Sequence, residues 1–414
     1  MSAFQPDREP EVSRKSLPDH AATRLRMLRV LGAVTRRLVL PEPAGEPRSV
    51  LAMRPDHLGD LLFATPALRR LKLAFPHSHI SVLTGPWGRR VLLGNPSVDS
   101  TVIWDIPWFN RRPSTNPISP YAAALGLVLE LRRRRFDSAL VLRFDFWWGA
   151  LVAQLAGIRR RVGYLTPETE PFLSGAVPYD RRARHEVERN LVLVDALLGR
   201  AGVAAPPEGG DLALEFHTTS ADQAEADGVL ARHGIRSSDR LVAIHAGAGS
   251  HLKWWSEDGF AQVADRLAAT HGCRVVLTGQ EAEASLVRGI QRKANCHPVG
   301  VVGETSLGGL AALYRRCECV IGSDSGPMHV AVAMGTPTVH LFGPADERLF
   351  GPWGDPNRHI VVRTPVPCAP CGSLDVCIGH FGHRACMTQL SPELVLAAAA
   401  RALDAGRAGT DQAS

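Results

Sequence analysis

Short apolar runs alternate with longer stretches of helical periodicity along most of this chain. Ser49 to Met53, His79 to Leu83, Thr101 to Trp104 and Ser138 to Leu142 read as strands in the first half. Leu61 to Phe75 and Tyr121 to Arg135 read as helices between them. A second series starts at Leu241 to His245 and continues through Cys273 to Thr278, Cys319 to Ile321, Thr336 to Phe342 and His359 to Arg363. Phe260 to His271 and Glu283 to Ala294 are its helices. Near-continuous apolar strands separated by helices predict parallel sheets covered on both faces.

A length of 414 residues supports two ordinary cores. The expected division is a basic extension over residues 1–45, an α/β domain over 46–205 and a linker region over 206–240. A second α/β domain spans 241–390, and a terminal helix and tail cover 391–414, with that helix free to cross back to the first domain. Two doubly wound sheets then face a cleft, and ligands belong at the carboxyl ends of their strands.

The first such end is Arg54-Pro55-Asp56-His57-Leu58-Gly59-Asp60. Gly59 permits a tight turn, and Asp60 falls in the first turn of a helix. An aspartate there either caps the helix or points into the cleft as a general base. Arg54 and His57 are candidate acceptor contacts in the same loop. In the second half, His245 to Trp255 carries two glycines and then Lys253, a point charge suited to phosphate or simply a surface lysine. Glu281 and Glu283 follow the next strand and either accept hydroxyl hydrogen bonds or start a helix. The run Gly322-Ser323-Asp324-Ser325-Gly326 lies between a strand and a helix. Small residues there let a ligand approach the backbone, and the helix N-terminus favours a diphosphate. The chain has neither a Walker lysine motif nor GxGxxG, which disfavours nucleotide-dependent dehydrogenases.

Taken together these segments resemble the lipopolysaccharide heptosyltransferases, glycosyltransferase family 9. RPDHLGDLLFATPALRRLKLAFPHSHISVL is similar to their amino-terminal signature, HAGAGSHLKWWSEDGFAQVADRL to their phosphate-contacting loop, and SDSGPMHVAVAMGTPTVHLFGPADERLFGPWG to their carboxy-terminal signature. The resemblance runs in order from about Val50 to Met387. It implies a GT-B fold with two Rossmann-like domains. It also implies inverting transfer of heptose from ADP-heptose to the inner core of lipopolysaccharide, with no cofactor and no active-site metal. On it, Asp60 matches the general base and Lys253 the lysine on the donor phosphates. Glu283 lies near the donor-binding acid. Asp324, Gly326 and His329 match the donor block, with the Ser325 amide beside them and Met328 expected against the base or sugar. Members with other donors or acceptors, and a sugar-nucleotide-binding module without catalysis, remain alternatives.

Charge and cysteines add two expectations. The net charge of +6 fits nucleotides, a phosphorylated glycan or an anionic membrane face, or simply an arginine-rich protein; no nucleic-acid partner is expected. Residues 20–40 read as a helix with Leu25, Leu28, Leu31, Val34 and Leu38 on one side and five arginines around them. Such a helix either lies on an anionic lipid surface or packs on its own domain. The start lacks an apolar leader segment, so the expected location is cytoplasmic, peripheral on the inner face of the cytoplasmic membrane, with a lipid A-linked acceptor. Cys368, Cys371, Cys377 and Cys386 form a C-x2-C…C…C pattern that could hold a structural zinc, form disulfides or pack a loop as free thiols. Cys273, Cys296, Cys317 and Cys319 read as core residues.

Overall fold

The computed structural model describes residues 19–37, 39–105, 119–180, 184–206, 212–379 and 381–411. Its described strands form two six-stranded sheets, parallel throughout. The first holds β1 (Ser49–Met53), β2 (His79–Thr84), β3 (Ser100–Ile103), β4 (Ser138–Val141), β5 (Arg160–Leu165) and β6 (Gly175–Pro178), in the order β3-β2-β1-β4-β5-β6. The second holds β7 (Leu241–His245), β8 (Arg274–Gly279), β9 (Val299–Val302), β10 (Cys319–Ser323), β11 (Thr338–Phe342) and β12 (His359–Arg363), in the order β12-β11-β10-β7-β8-β9. The expected α/β architecture is therefore present in both halves.

Those orders fix where a ligand can sit. In the first sheet the chain winds outward from β1 to β3, then returns to place β4 on the other side of β1. In the second it winds from β7 to β9 and returns with β10 beside β7. Adjacent connections leave such a pair toward opposite faces, so a crevice opens at the strands' carboxyl ends. The loops that border these crevices follow β1 and β4 in one sheet and β7 and β10 in the other. They carry Asp60, Arg143, Lys253 and Asp324.

The central strands are buried on both faces, which is why they read as unbroken apolar runs: every residue of β4, β7, β10 and β11 is buried. Strands β5, β6 and β9 were not apparent from the apolar pattern. β5 begins with Arg160 and Arg161, both buried. Arg160 donates to the carbonyls of Pro43 and Gly45, and Arg161 to that of Phe172, so hydrogen bonding rather than solvent accommodates their charge. β6 is a four-residue edge strand containing glycine and proline, too short to show a period.

The described part of the segment between the sheets, from Leu212 onward, is held in place as well. Glu215 pairs with Arg69 and accepts from Asn95. The helix Ser220–Arg232 then starts with a capping box, in which Thr219 and Asp222 satisfy each other's backbone donors. The closing helix, Pro392–Asp411, packs on the helix Glu257–His271 and on β10, β11 and β12. It therefore covers the second sheet and does not cross back to the first. The N-terminal helix, Asp19–Arg36, packs on the first half through Leu28, Gly32 and Thr35. Its Leu31 and Val34 are exposed rather than packed, and Leu38 lies outside the described residues.

The two halves touch next to the crevices. The helix Leu58–Ala74, which follows β1, packs against the helix Gly326–Ala333, which follows β10. Two glycines permit the approach. A Cβ on Gly59 would stand 3.0 Å from the His329 ring, and one on Gly326 would stand 3.0 Å from Leu58 Cβ. An aromatic seam continues the contact. Phe63 lies edge-on to His329 at 4.5 Å and to His185 at 5.0 Å, and His185 leans on Trp353 at 4.8 Å.

Candidate active site

Arg54 organises the first half of the site. It sits one residue past β1 with 2% of its side chain exposed. One terminal nitrogen donates to the Leu142 carbonyl at 2.5 Å and to Glu186 at 2.8 Å. The other donates to Asp60 Oδ1 at 3.3 Å. Nε stands 2.7 Å from Asp56 Oδ2 as an ion pair outside hydrogen-bond alignment. Asp56 also pairs with Arg143 at 2.5 Å, and Glu186 with Arg189 at 3.2 Å. The three carboxylates Asp56, Asp60 and Glu186 are thus matched by the guanidinium groups of Arg54, Arg143 and Arg189, the condition under which buried charge is tolerated. With its donors turned inward, Arg54 is not placed to contact an acceptor. His57 is exposed and tilted toward Trp87.

Within this cluster Asp60 is distinct. Arg54 reaches only one of its oxygens, and 28% of its side chain meets solvent. Burial and the neighbouring Asp56 carboxylate push its pKa up to about 6, against the opposing pull of Arg54. The local sequence explains its placement. His57 is extended and starts the helix without a side-chain cap, so Asp60 is in the first turn, where the helix dipole favours a carboxylate.

The second half of the site is built on the loops after β7 and β10. Lys253 ends a single 3-10 turn whose start is capped by Ser250. Its ammonium pairs with Asp324 Oδ2 at 2.6 Å. Burial raises the Asp324 pKa, and Lys253 opposes that rise. His329 Nε2 stands 3.9 Å from the other Asp324 oxygen. Burial depresses the His329 pKa to about 3, so the ring is neutral, and Nδ1 has no partner among the described groups. Ser325 Oγ is likewise buried and unpartnered at the start of the helix Gly326–Ala333. Glu283 follows β8, accepts from the Gln280 amide at 2.8 Å and lays its carboxylate against Gly247. A Cβ on Gly247 would overlap that carboxylate, which explains a glycine in the Lys253 loop.

The structure thus brings Asp60, Lys253, Asp324, Ser325, Gly326 and His329 to one interdomain cleft. The links run from Gly59 to His329, from His329 to Asp324 and from Asp324 to Lys253. Glu283 joins from the flank through Gly247. Met328 does not take part in the expected way: it has 0% exposure, and its sulfur fills the space over Gly322. On a helix, the position before His329 is turned by about 100° and here faces the core. Sequence reading missed Asp56, Arg143 and Glu186. Glu186 is 132 residues from Arg54, and its local setting offers only a helix-start signal.

The four tail cysteines line one small cavity that also includes Leu252 of the Lys253 loop. All four are free thiols. Among the described residues, no three His, Cys, Asp or Glu side chains are arranged to hold a metal ion. Cys273, Cys317 and Cys319 are buried, and Cys296 is only half-buried.

Comparison with known proteins supplies the class of chemistry. Residues 125–376 match the model of glycosyltransferase family 9 (heptosyltransferase), more than half of the chain. Lipopolysaccharide heptosyltransferase 3 of Escherichia coli (strain K12) is 28% identical over 71% of this chain and 82% of that protein. Lipopolysaccharide heptosyltransferase 2 of Salmonella typhimurium is 26% identical over 76% and 88%. The crystal structure of the glycosyl transferase family 9 protein from Veillonella parvula has the same fold, with a TM-score of 0.74 at 24% identity over 87% of this chain and 99% of that one. E. coli ADP-heptose lps heptosyltransferase II matches with a TM-score of 0.67 at 23% identity over 86% and 98%. With paired parallel sheets facing a cleft in the GT-B manner, the chain belongs to glycosyltransferase family 9, the heptosyltransferases.

Proposed function

We propose that this glycosyltransferase moves heptose from ADP-heptose to an inner-core acceptor of lipopolysaccharide, inverting the anomeric centre and using no metal. The observation that carries the reading is Asp60, a partly exposed carboxylate of raised pKa on the loop that packs against the Asp324–His329 turn. Asp60 accepts the proton of the acceptor hydroxyl while that oxygen attacks the anomeric carbon. The bond from that carbon to the diphosphate breaks, and ADP leaves with its electron pair. A single displacement from the Asp60 side inverts the centre. Charge growing on the leaving diphosphate meets Lys253 and the N-terminal amides of the helix Gly326–Ala333. Ser325 Oγ and neutral His329 supply further donors that lack partners in the free protein. Lys253 exchanges part of its pairing with Asp324 for the phosphate as the donor binds.

The reading also places the enzyme at the inner face of the cytoplasmic membrane. Met27, Val30, Leu31 and Val34 form an exposed apolar stripe on the N-terminal helix, with Arg26, Arg29 and Arg37 exposed around it. Apolar side chains ringed by arginines complement an anionic lipid surface. Among the described residues no helix is long and apolar enough to cross a membrane.

Four outcomes test these statements. In a mass-spectrometric assay with truncated lipopolysaccharide, the wild type transfers heptose from ADP-heptose, and kcat/KM falls as the pH drops through about 6 because protonated Asp60 cannot act as a base. Asp60→Asn binds ADP normally and transfers at least roughly a hundredfold more slowly; wild-type turnover by this variant removes Asp60 as base. Arg54→Met removes the arginine paired with Asp60 and one of the two on each of Asp56 and Glu186, and lowers stability by roughly 3–5 kcal/mol in urea unfolding, whereas a change below about 1 kcal/mol would show that Arg143 and Arg189 suffice without it. Finally, Met27→Asp with Leu31→Asp reduces co-sedimentation with anionic phospholipid vesicles. Equal sedimentation of variant and wild type would count against the helix as the membrane contact.

A further inference from the structure

A concavity opens on the first half of the molecule, lined by residues of that half alone. Its volume is about 520 Å³, within the range of small-ligand sites. Three strands deliver its walls at their carboxyl ends: Phe144, Asp145 and Trp147 follow β4, Glu168 follows β5 and Tyr179 follows β6. The fourth wall comes from the N-terminal helix, through Arg24.

We infer that this pocket seats the sugar of the acceptor and that Arg24 binds an acidic group on it. The inference rests on the transferase reading above and adds the acceptor subsite to it. Three observations carry it. First, the pocket is wired to the base. Asp145 is gripped by Arg143, Arg143 holds Asp56, Asp56 pairs with Arg54 and Arg54 holds Asp60. A ligand that reaches Asp145 is therefore at the far end of the same ion-pair chain that orients Asp60. Second, the walls have the chemistry of a sugar site. Phe144 and Tyr179 are stacked, with ring centroids 4.3 Å apart at 9°, giving a rigid aromatic wall, and Trp147 adds an indole to the lining. Apolar C–H faces of a sugar ring pack on such surfaces, and its hydroxyls donate to Asp145 and Glu168. Third, the pocket also offers a cation. Arg24 is held over the Trp147 ring, 5.4 Å from its centroid, with its side chain exposed at the rim. A guanidinium fixed on an aromatic face suits a carboxylate or a phosphate, which it can grip with two N–H donors.

This assignment gives the N-terminal helix a second task. The helix that bears the exposed apolar stripe also completes the pocket, so an acceptor glycan on a lipid anchor would enter beside the helix that rests on the membrane.

Acceptor kinetics and direct binding test the inference. Arg24→Ala and Glu168→Gln change side chains at the pocket rim, outside the core, so loss of folding does not confuse the result. Each is expected to raise the acceptor KM by about tenfold or more while leaving ADP affinity and donor KM unchanged. The same loss should appear when delipidated, truncated core oligosaccharide is titrated into the protein without donor. The Arg24→Ala penalty should vanish on the acceptor that lacks the recognised group. A carboxyl-reduced acceptor tests the sugar acid, and a dephosphorylated acceptor tests the phosphate. A penalty that persists on both, or an unchanged acceptor KM in both variants, would overturn the inference. If the wild type binds the oligosaccharide but does not turn over ADP-heptose, the donor reading fails and the pocket stands.

Discussion

The buried guanidinium of Arg54 is the interaction on which the site depends. It ties the carboxyl end of β1 to the carbonyl of Leu142 after β4 and to Glu186 at the start of the helix Glu186–Ala201. Those are the elements that border the crevice of the first sheet. Arg54 spreads one charge over Asp56, Glu186 and Asp60; Arg143 and Arg189 complete the pairing of the first two, and Asp60 is compensated through one oxygen. That partial compensation matters. A carboxylate fully paired with arginine would have a depressed pKa and be a weak base, whereas one buried beside a second carboxylate is raised toward neutrality. The same charges that stabilise the loop therefore set the basicity of the group facing the cleft.

The contact between the two halves depends on steric room as well as on charge. Gly59, Gly247, Gly322 and Gly326 are small because His329, Glu283, Met328 and Leu58 occupy the space a side chain would need. The backbones of the two halves approach closely enough that Asp60 and the Asp324–His329 turn share one cleft. Burial then keeps His329 and His340 neutral, so the cation beside Asp324 is Lys253 rather than a histidine. Under the proposed transfer this division is chemically sensible: one side would handle a proton, and the other the charge of a leaving diphosphate.

Much of this was legible in the sequence. The core strands β1, β2, β4, β7, β8, β10 and β11 appear as apolar runs because both faces of each sheet are covered. The loops after β1, β7 and β10 stand out because small and charged residues interrupt those runs. What stayed hidden depended on partners distant in sequence. Arg54 read as a ligand contact, since nothing near it announces Glu186. Arg160 and Arg161 masked β5, since the carbonyls that receive them come from other loops. Met328 read as a cleft residue by position, and only the direction of the helix turns it inward. The pocket beside Arg24 could not be foreseen, because it joins four segments that are separate in sequence.

On the proposed reading, the Arg54 cluster holds Asp60 as a base of near-neutral pKa. Isotope-edited infrared titration of the Asp60 carboxyl in the free enzyme, assigned by its loss in Asp60→Asn, measures this directly. A midpoint of about 6 is expected. A midpoint at or below the ordinary aspartate value of about 4 would contradict it.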